Sequence, residues 1–258
     1  MRIQSTLSAI LDTVTVELTS PAIPASIDGM EFVMISSTGS EVATETPSRF
    51  RYRQDGQMVW GSYRGDTVNV GRFIGRRDGD TITICFAHRL VDSEEIVLGT
   101  ASSELQRTDD GTLQLFETFE KDGILHTSVC NEAPADGDWN LADVSGEGNP
   151  AIDGTAFILE TTTASVVSEN PTRFEFNEAA GIAWGTYRGD TVTTGHCVGR
   201  YRDGVLDEYF VHHVVASDAT LLGDSSTRVQ TREDGRLELV EDFVLDGVPG
   251  FSVCVQVL

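Results

Sequence analysis

The chain reads as an all-β protein made of two tandem eight-stranded antiparallel up-and-down barrels, on three observations. The run WGSYRGDTV from Trp60 to Val68 returns as WGTYRGDTV from Trp184 to Val192. Register then holds, always 124 positions on, to Ser128-Val129-Cys130 and Ser252-Val253-Cys254; one folding unit is duplicated. The apolar period is two, as in Ile82, Ile84, Phe86, His88 and Leu90, and again in Leu113, Leu115, Glu117 and Phe119. Turn signals recur at short intervals, among them Asp55-Gly56, Asp78-Gly79, Asp110-Gly111 and Asp122-Gly123.

In chain order, residues 1–26 form an N-terminal extension without a counterpart, in which Thr13 to Leu18 could add a strand. The first unit covers 27–133, a Gly/Asp/Asn/Pro-rich linker covers 134–151, and the second unit covers 152–258. Between turn signals, strands are expected near 31–36, 48–54, 57–63, 67–76, 81–90, 96–107, 112–120 and 124–131, with copies in the second unit. Short turns between successive strands make a meander, and closing it into a barrel removes its edges. A pair of β-sandwiches is the competing architecture, and a pseudo-twofold is the expected relation between barrels.

The 258 residues are 40% hydrophobic and carry a net charge of −23. Such a surface repels phosphate backbones and anionic headgroups, so neither nucleic acid nor a membrane is an expected partner. No apolar run approaches the roughly 18 residues of a spanning helix, and Met1 to Ile10 lacks a signal-type core. The four cysteines, Cys85, Cys130, Cys197 and Cys254, have no C-x-x-C spacing and suit buried reduced thiols in a cytoplasmic protein.

The residues Trp60, Tyr63, Gly65, Gly71 and Gly75, then His88 and Asp110-Gly111-x-Leu113-x-Leu115-x-Glu117, resemble a family of small single-unit bacterial proteins labelled N-acetylglutamate synthase. The second copy matches at Trp184, Tyr187, Gly189, Gly195, Gly199, His212 and Glu241. An acetyltransferase of the usual fold needs alternating helices and strands with a Gly-rich loop opening a helix; this chain has β patterning throughout. Its organisation is similar to the calycin-type barrels (lipocalins, fatty-acid-binding proteins, avidins, nitrobindins), which implies a lumen able to hold a small ligand.

Alternation sorts side chains onto faces. His88 and His212 fall in phase with apolar positions and should point inward, as should Glu117 and Glu241. Arg76 and Arg200, in phase with Val68/Ile74 and Val192/Val198, are expected to pair with these buried charges. Trp60 and Trp184 are expected to form a wall or floor of the lumen. Arg72 becomes His196, Ile84 becomes Glu208 and Thr100 becomes Asp224, which makes the second lumen the more polar. A buried Glu–Arg–His network that only fixes register is the structural alternative. His196, His212 and Glu208 match no metal signature, so no metal is predicted. Tyr63-Arg64-Gly65-Asp66 reads as turn chemistry rather than integrin-type recognition.

The functional expectation is a small-molecule pocket protein, foremost a cofactor-free isomerase or cyclase acting on a largely apolar metabolite. Its catalytic candidates are His212, Glu241 and Arg200, and its ligand-binding candidates Trp184, Tyr187, His196, Glu208, Trp60, Arg76, His88 and Glu117. A non-catalytic carrier with the same lumen is the alternative, a solid scaffold without ligand the third. Whether the chain oligomerises is left open.

Overall fold

The computed structural model describes residues 22–134, 152–217, 219–245 and 248–258. The strand expected at 13–18 lies outside them, as does the linker beyond Pro134. The first unit contains β1 (Glu31–Ser37), β2 (Arg49–Asp55), β3 (Met58–Gly65), β4 (Val68–Asp78), β5 (Thr81–Leu90), β6 (Ile96–Arg107), β7 (Leu113–Lys121) and β8 (Ile124–Ala133). The second contains β9 (Ala156–Thr162), β10 (Arg173–Ala179), β11 (Ile182–Gly189), β12 (Val192–Arg202), β13 (Val205–Val214), β14 (Thr220–Thr231), β15 (Leu237–Leu245) and β16 (Val248–Gln256). Each set closes on itself, β1 against β8 and β9 against β16, as an antiparallel meander barrel.

Among the described residues every Asp-Gly pair has its glycine at positive φ. Asp122 and Gly123, between β7 and β8, both take positive φ, at 54° and 74°, the geometry of a two-residue hairpin that follows the sheet's twist. Asp66 and Asp190 close the Arg-Gly-Asp turns, and their carboxylates tie down the long β1–β2 and β9–β10 loops. Asp66 accepts from the backbone N–H of Ala43 (2.8 Å) and Ser48 (3.1 Å), and Asp190 from Ser168 through both its N–H and its hydroxyl. The tripeptide therefore works within the fold.

Inside each barrel, accessibility rises from one end to the other. On β5, Ile82 and Ile84 are buried while Phe86 and His88 keep exposed surface; on β7, Leu113 and Leu115 are buried while Glu117 and Phe119 are not fully so. The buried end is a floor. Ile27 and Ile152, both wholly inaccessible, seal it. Their N–H groups donate to Gln54 Oε1 (3.0 Å) and Glu178 Oε2 (3.2 Å). Arg77, also buried, donates to the carbonyls of Pro24 (2.7 Å) and Gly79 (2.8 Å). The other end, ringed by the β1–β2, β3–β4, β5–β6 and β7–β8 connections, is the mouth.

The two barrels share a third core. Met58, Val70, Ile74, Cys85 and Ala87 on the outer face of the first barrel pack with Ile182, Val198 and Val211 of the second. Trp60, Leu98, Trp184, Tyr209 and Leu222 are partly buried against them. The contacts are reciprocal. Trp60 stacks on His196 at 4.2 Å between ring centroids, and the Arg72 guanidinium sits 3.6 Å from the centre of the Trp184 ring. Trp184 repeats Trp60 and His196 repeats Arg72, so the same pair forms twice about a pseudo-twofold.

Candidate functional site

Glycine positions the first repeated feature. Tyr63 lies across Gly71, and Tyr187 across Gly195, so closely that a Cβ on either glycine would come within 2.3 Å of the ring. Register places His88 opposite Gly71 and His212 opposite Gly195. Each tyrosine thus reaches over its glycine to a histidine, at 2.8 Å from Tyr63 Oη to His88 Nδ1 and 2.8 Å from Tyr187 Oη to His212 Nδ1. Burial raises both phenols well above 10 and lowers both imidazoles from 6.5 to about 4. The phenol therefore keeps its proton and the imidazole is neutral, and the imidazole tautomer sets which of the two donates across the Oη–Nδ1 contact. Gly195→Ala is expected to cost about 1–3 kcal/mol by forcing Tyr187 off its strand, read as a lower urea midpoint. An unchanged midpoint would contradict this packing.

The first lumen holds one carboxyl. Glu117 accepts from Ser128 Oγ (3.2 Å) and Ser103 Oγ (3.4 Å). Burial raises its pKa, against the pull of those two hydroxyls. Around it stand Tyr52, Tyr63, Phe73 and Cys130.

Among the inward positions at which the second lumen differs, Tyr52 becomes Phe176, Phe73 Cys197, Ile84 Glu208, Ala101 Ser225 and Ser103 Thr227. Glu241 accepts from Ser252 Oγ at 2.6 Å. Glu208 is pushed up to about 8, chiefly by burial and then by Glu241, against a hydrogen bond from the Cys197 thiol. Protein surrounds Glu208, yet it keeps accessible surface where Ile84 is buried. That combination belongs to a group lining an interior space, so the second cup reaches one inward residue deeper. Register makes the polar groups contiguous: Glu208 lies opposite Ser225, Thr227 opposite Glu241, and Glu241 opposite Ser252. The Ser225 and Thr227 hydroxyls are buried without a hydrogen-bond partner.

The inward placements expected for His88, His212, Glu117, Glu241 and Glu208 match this geometry, and Tyr187 also faces inward. Five placements do not. Trp60 and Trp184 lie on the outer faces, in the core between barrels, as does His196. Arg76 points out and donates to Thr220 O of the other barrel at 3.4 Å, and Arg200 pairs with Asp207 at 2.9 Å. The cause is a β-bulge between Val68 and Val70, repeated between Val192 and Thr194. Across it the phase reverses, so Val68 faces the lumen while Ile74 and Arg76 face outward. Glu117 is therefore held by serines rather than by Arg76, and His196 is on the opposite face from His212 and Glu208. Arg200 does not join His212 and Glu241.

Cys197, Ser225 and Thr227 are lumenal residues that face alternation alone leaves unnoticed. Comparison of Phe73, Ala101 and Ser103 with their copies is the signal that finds them. The four cysteines are buried and unpaired, and burial raises the Cys254 and Cys197 thiols strongly.

Residues 25–133 and 150–257 each match the family described as avidin-like protein. No curated protein matches the chain. Solved structures similar to it include a candidate outer membrane protein of Bacteroides fragilis, at 9% identity and TM-score 0.28, covering 89% of this chain and 96% of that one. A variant of the vaccine antigen transferrin-binding protein B from Haemophilus parasuis is similar at 8% identity and TM-score 0.27, covering 83% and 66%. Likenesses at those TM-scores carry no argument about this chain.

Proposed function

Because this chain belongs to the avidin-like family in both of its halves, we propose that it is a carrier that holds small molecules in its barrel lumens. The observation that supports this most directly is the gradient within each barrel, from a sealed floor to accessible Phe86, His88, Glu117, Phe210, His212 and Glu241. Eight-stranded barrels have room for one small ligand, and these line it with aromatic walls and a few convergent polar groups. Native mass spectrometry of the freshly purified protein should show one or two small adducts that denaturation removes. A bare polypeptide mass, with no uptake from a panel of small apolar compounds, would refute the carrier reading.

One observation favours a second reading, cofactor-free isomerisation or cyclisation. A buried carboxyl raised toward neutrality beside a second carboxyl is an arrangement that can supply a proton to a bound molecule. Glu208, near 8, would supply the proton and Glu241 would accept one, with His212 Nε2 orienting the ligand. Arg200, on the outer face, takes no part. Turnover of the released ligand that Glu208→Gln and Glu241→Gln both abolish would favour this reading; ligand recovered unchanged would favour the carrier.

A further inference from the structure

We propose that the second lumen is a site for a small organic amine, its ammonium group held between Glu208 and Glu241 and its apolar body against the aromatic wall. This rests on the lumenal reading above and specifies the ligand class for one of the two barrels.

The polar strip of the second lumen is incomplete in both charge pairing and hydrogen bonding among the described residues. Neither Glu208 nor Glu241 takes part in an ion pair among the described residues; the arginines of this barrel that form ion pairs, such as Arg200 with Asp207 and Arg228 with Asp242, satisfy other carboxylates. The strip is also unfinished in its hydrogen bonding. In the first barrel the hydroxyl at the matching position, Ser103, donates to Glu117. In the second, Thr227 sits directly opposite Glu241 in register and has no partner, and Ser225 opposite Glu208 has none either. Both are more than nine-tenths buried. An enclosed hydroxyl without a hydrogen-bond partner is destabilising, so two adjacent ones beside two carboxyls mark a place where a ligand completes the network.

Charge decides the kind of ligand. Two carboxyls close enough to influence one another cannot both ionise cheaply in an enclosed space, and burial, then Glu241, pushes Glu208 up to about 8. An ammonium group between them reverses this. It offers three N–H donors, enough for both carboxylates and a hydroxyl, and lets Glu208 ionise. An anion would instead meet Glu241 with no compensating cation. The rest of the lining suits an apolar body: Phe157, Phe174, Phe176, Phe210 and the Tyr187 ring, faces that also attract cations. The first lumen has Ile84 and Ala101 at the positions of Glu208 and Ser225 and lacks this selectivity.

Binding should release a proton, and the other titratable groups facing Glu208 do not obscure this. Tyr187 on β11, Cys197 on β12 and Cys254 on β16 stay protonated at neutral pH, and His212 on β13 stays neutral. Glu178 on β10 belongs to the floor.

The test uses the full chain and three matched probes: benzylamine, benzyl alcohol and benzoate. Calorimetry at pH 7 in two buffers of different ionisation enthalpy should show benzylamine binding at least tenfold more tightly than the alcohol, with release approaching one proton. Glu208→Gln, which mimics the protonated side chain and so should fold, is expected to remove the proton release and at least tenfold of the amine affinity. Thr227→Val should lower amine affinity more than alcohol affinity. Equal binding of amine and alcohol, preference for benzoate, or no amine binding would each overturn the amine assignment. Lumenal carriage would survive those results if the native mass spectrum still shows an adduct.

Discussion

Trp184→Ala is expected to lower the melting temperature by about 5–10 °C and to separate one cooperative unfolding transition into two. Replacing a large aromatic in a packed core costs about 3–5 kcal/mol; the ring here is only partly buried, so about 2–4 kcal/mol is the expected loss. In a protein of this size each kcal/mol is worth roughly 2–4 °C. The loss has a second component. Arg72 lies over the Trp184 ring, its pKa lowered to about 10 by burial, and its Nε has no hydrogen-bond partner. The indole face is what compensates that guanidinium, an interaction worth about 2 kcal/mol when desolvated. Arg72→Ala should accordingly cost less in the Trp184→Ala background than in the natural chain, a coupling that a double-mutant cycle measures. Each barrel keeps its own interior cluster, so loss of this shared core should uncouple the two rather than unfold both at once. Differential scanning calorimetry is the measurement. A single transition displaced by less than about 2 °C would mean that the core between the barrels does not couple them.

The same tryptophans show what alternation can and cannot reveal. Strand positions are legible because β-branched periodicity and Asp-Gly turns are local signals, and all sixteen strands lie where two copies of one pattern put them. The inward direction of His88, Glu117, His212 and Glu241 is legible for the same reason, since no bulge separates them from the apolar residues that set the phase. Trp60, Trp184, Arg76 and Arg200 defeat the method for two physical reasons. The outer faces of β3 to β6 and β11 to β14 are themselves buried, so apolar character there marks the partner barrel instead of the lumen. The bulge after Val68 and its copy after Val192 then shift the phase by one, and a bulge depends on long-range pairing that a single strand's residues do not encode. The duplication supplies the missing information only when inward positions are compared. Ile84 with Glu208 and Ala101 with Ser225 report a change of lumen, whereas Arg72 with His196 reports a change at the interface.

Stability should peak between about pH 6 and 7 and fall by about 2–3 kcal/mol by pH 5. Three partly buried histidines set the acid limb. His88, His212 and His196 are each lowered from 6.5 to about 4, first of all by burial. Between those values the unfolded chain binds more protons than the folded one, so stability rises with pH there and is lost as pH falls from 6.5 toward 4. One such shift corresponds to at most about 3 kcal/mol, and residual exposure of all three rings reduces it. Glu208 sets the alkaline limb with the opposite sign. Its carboxyl is raised from 4.5 to about 8, so across that window the folded chain binds more protons, and stability is lost as pH rises through it. Glu117, also raised by burial, acts in the same direction. Above pH 6.5 only the carboxyls contribute; below it the three histidines outweigh them. Urea titrations at pH 5, 6.5 and 8 test the shape, and two variants assign it. Glu208→Gln should flatten the limb above pH 6.5. His196→Gln, which leaves both lumens intact, should make the acid limb shallower without moving the alkaline one. Stability that holds level or increases from pH 6.5 to 5 would show that the histidines are protonated in the folded chain. In that case Nδ1–H of His88 and of His212 would donate to the phenol oxygens of Tyr63 and Tyr187.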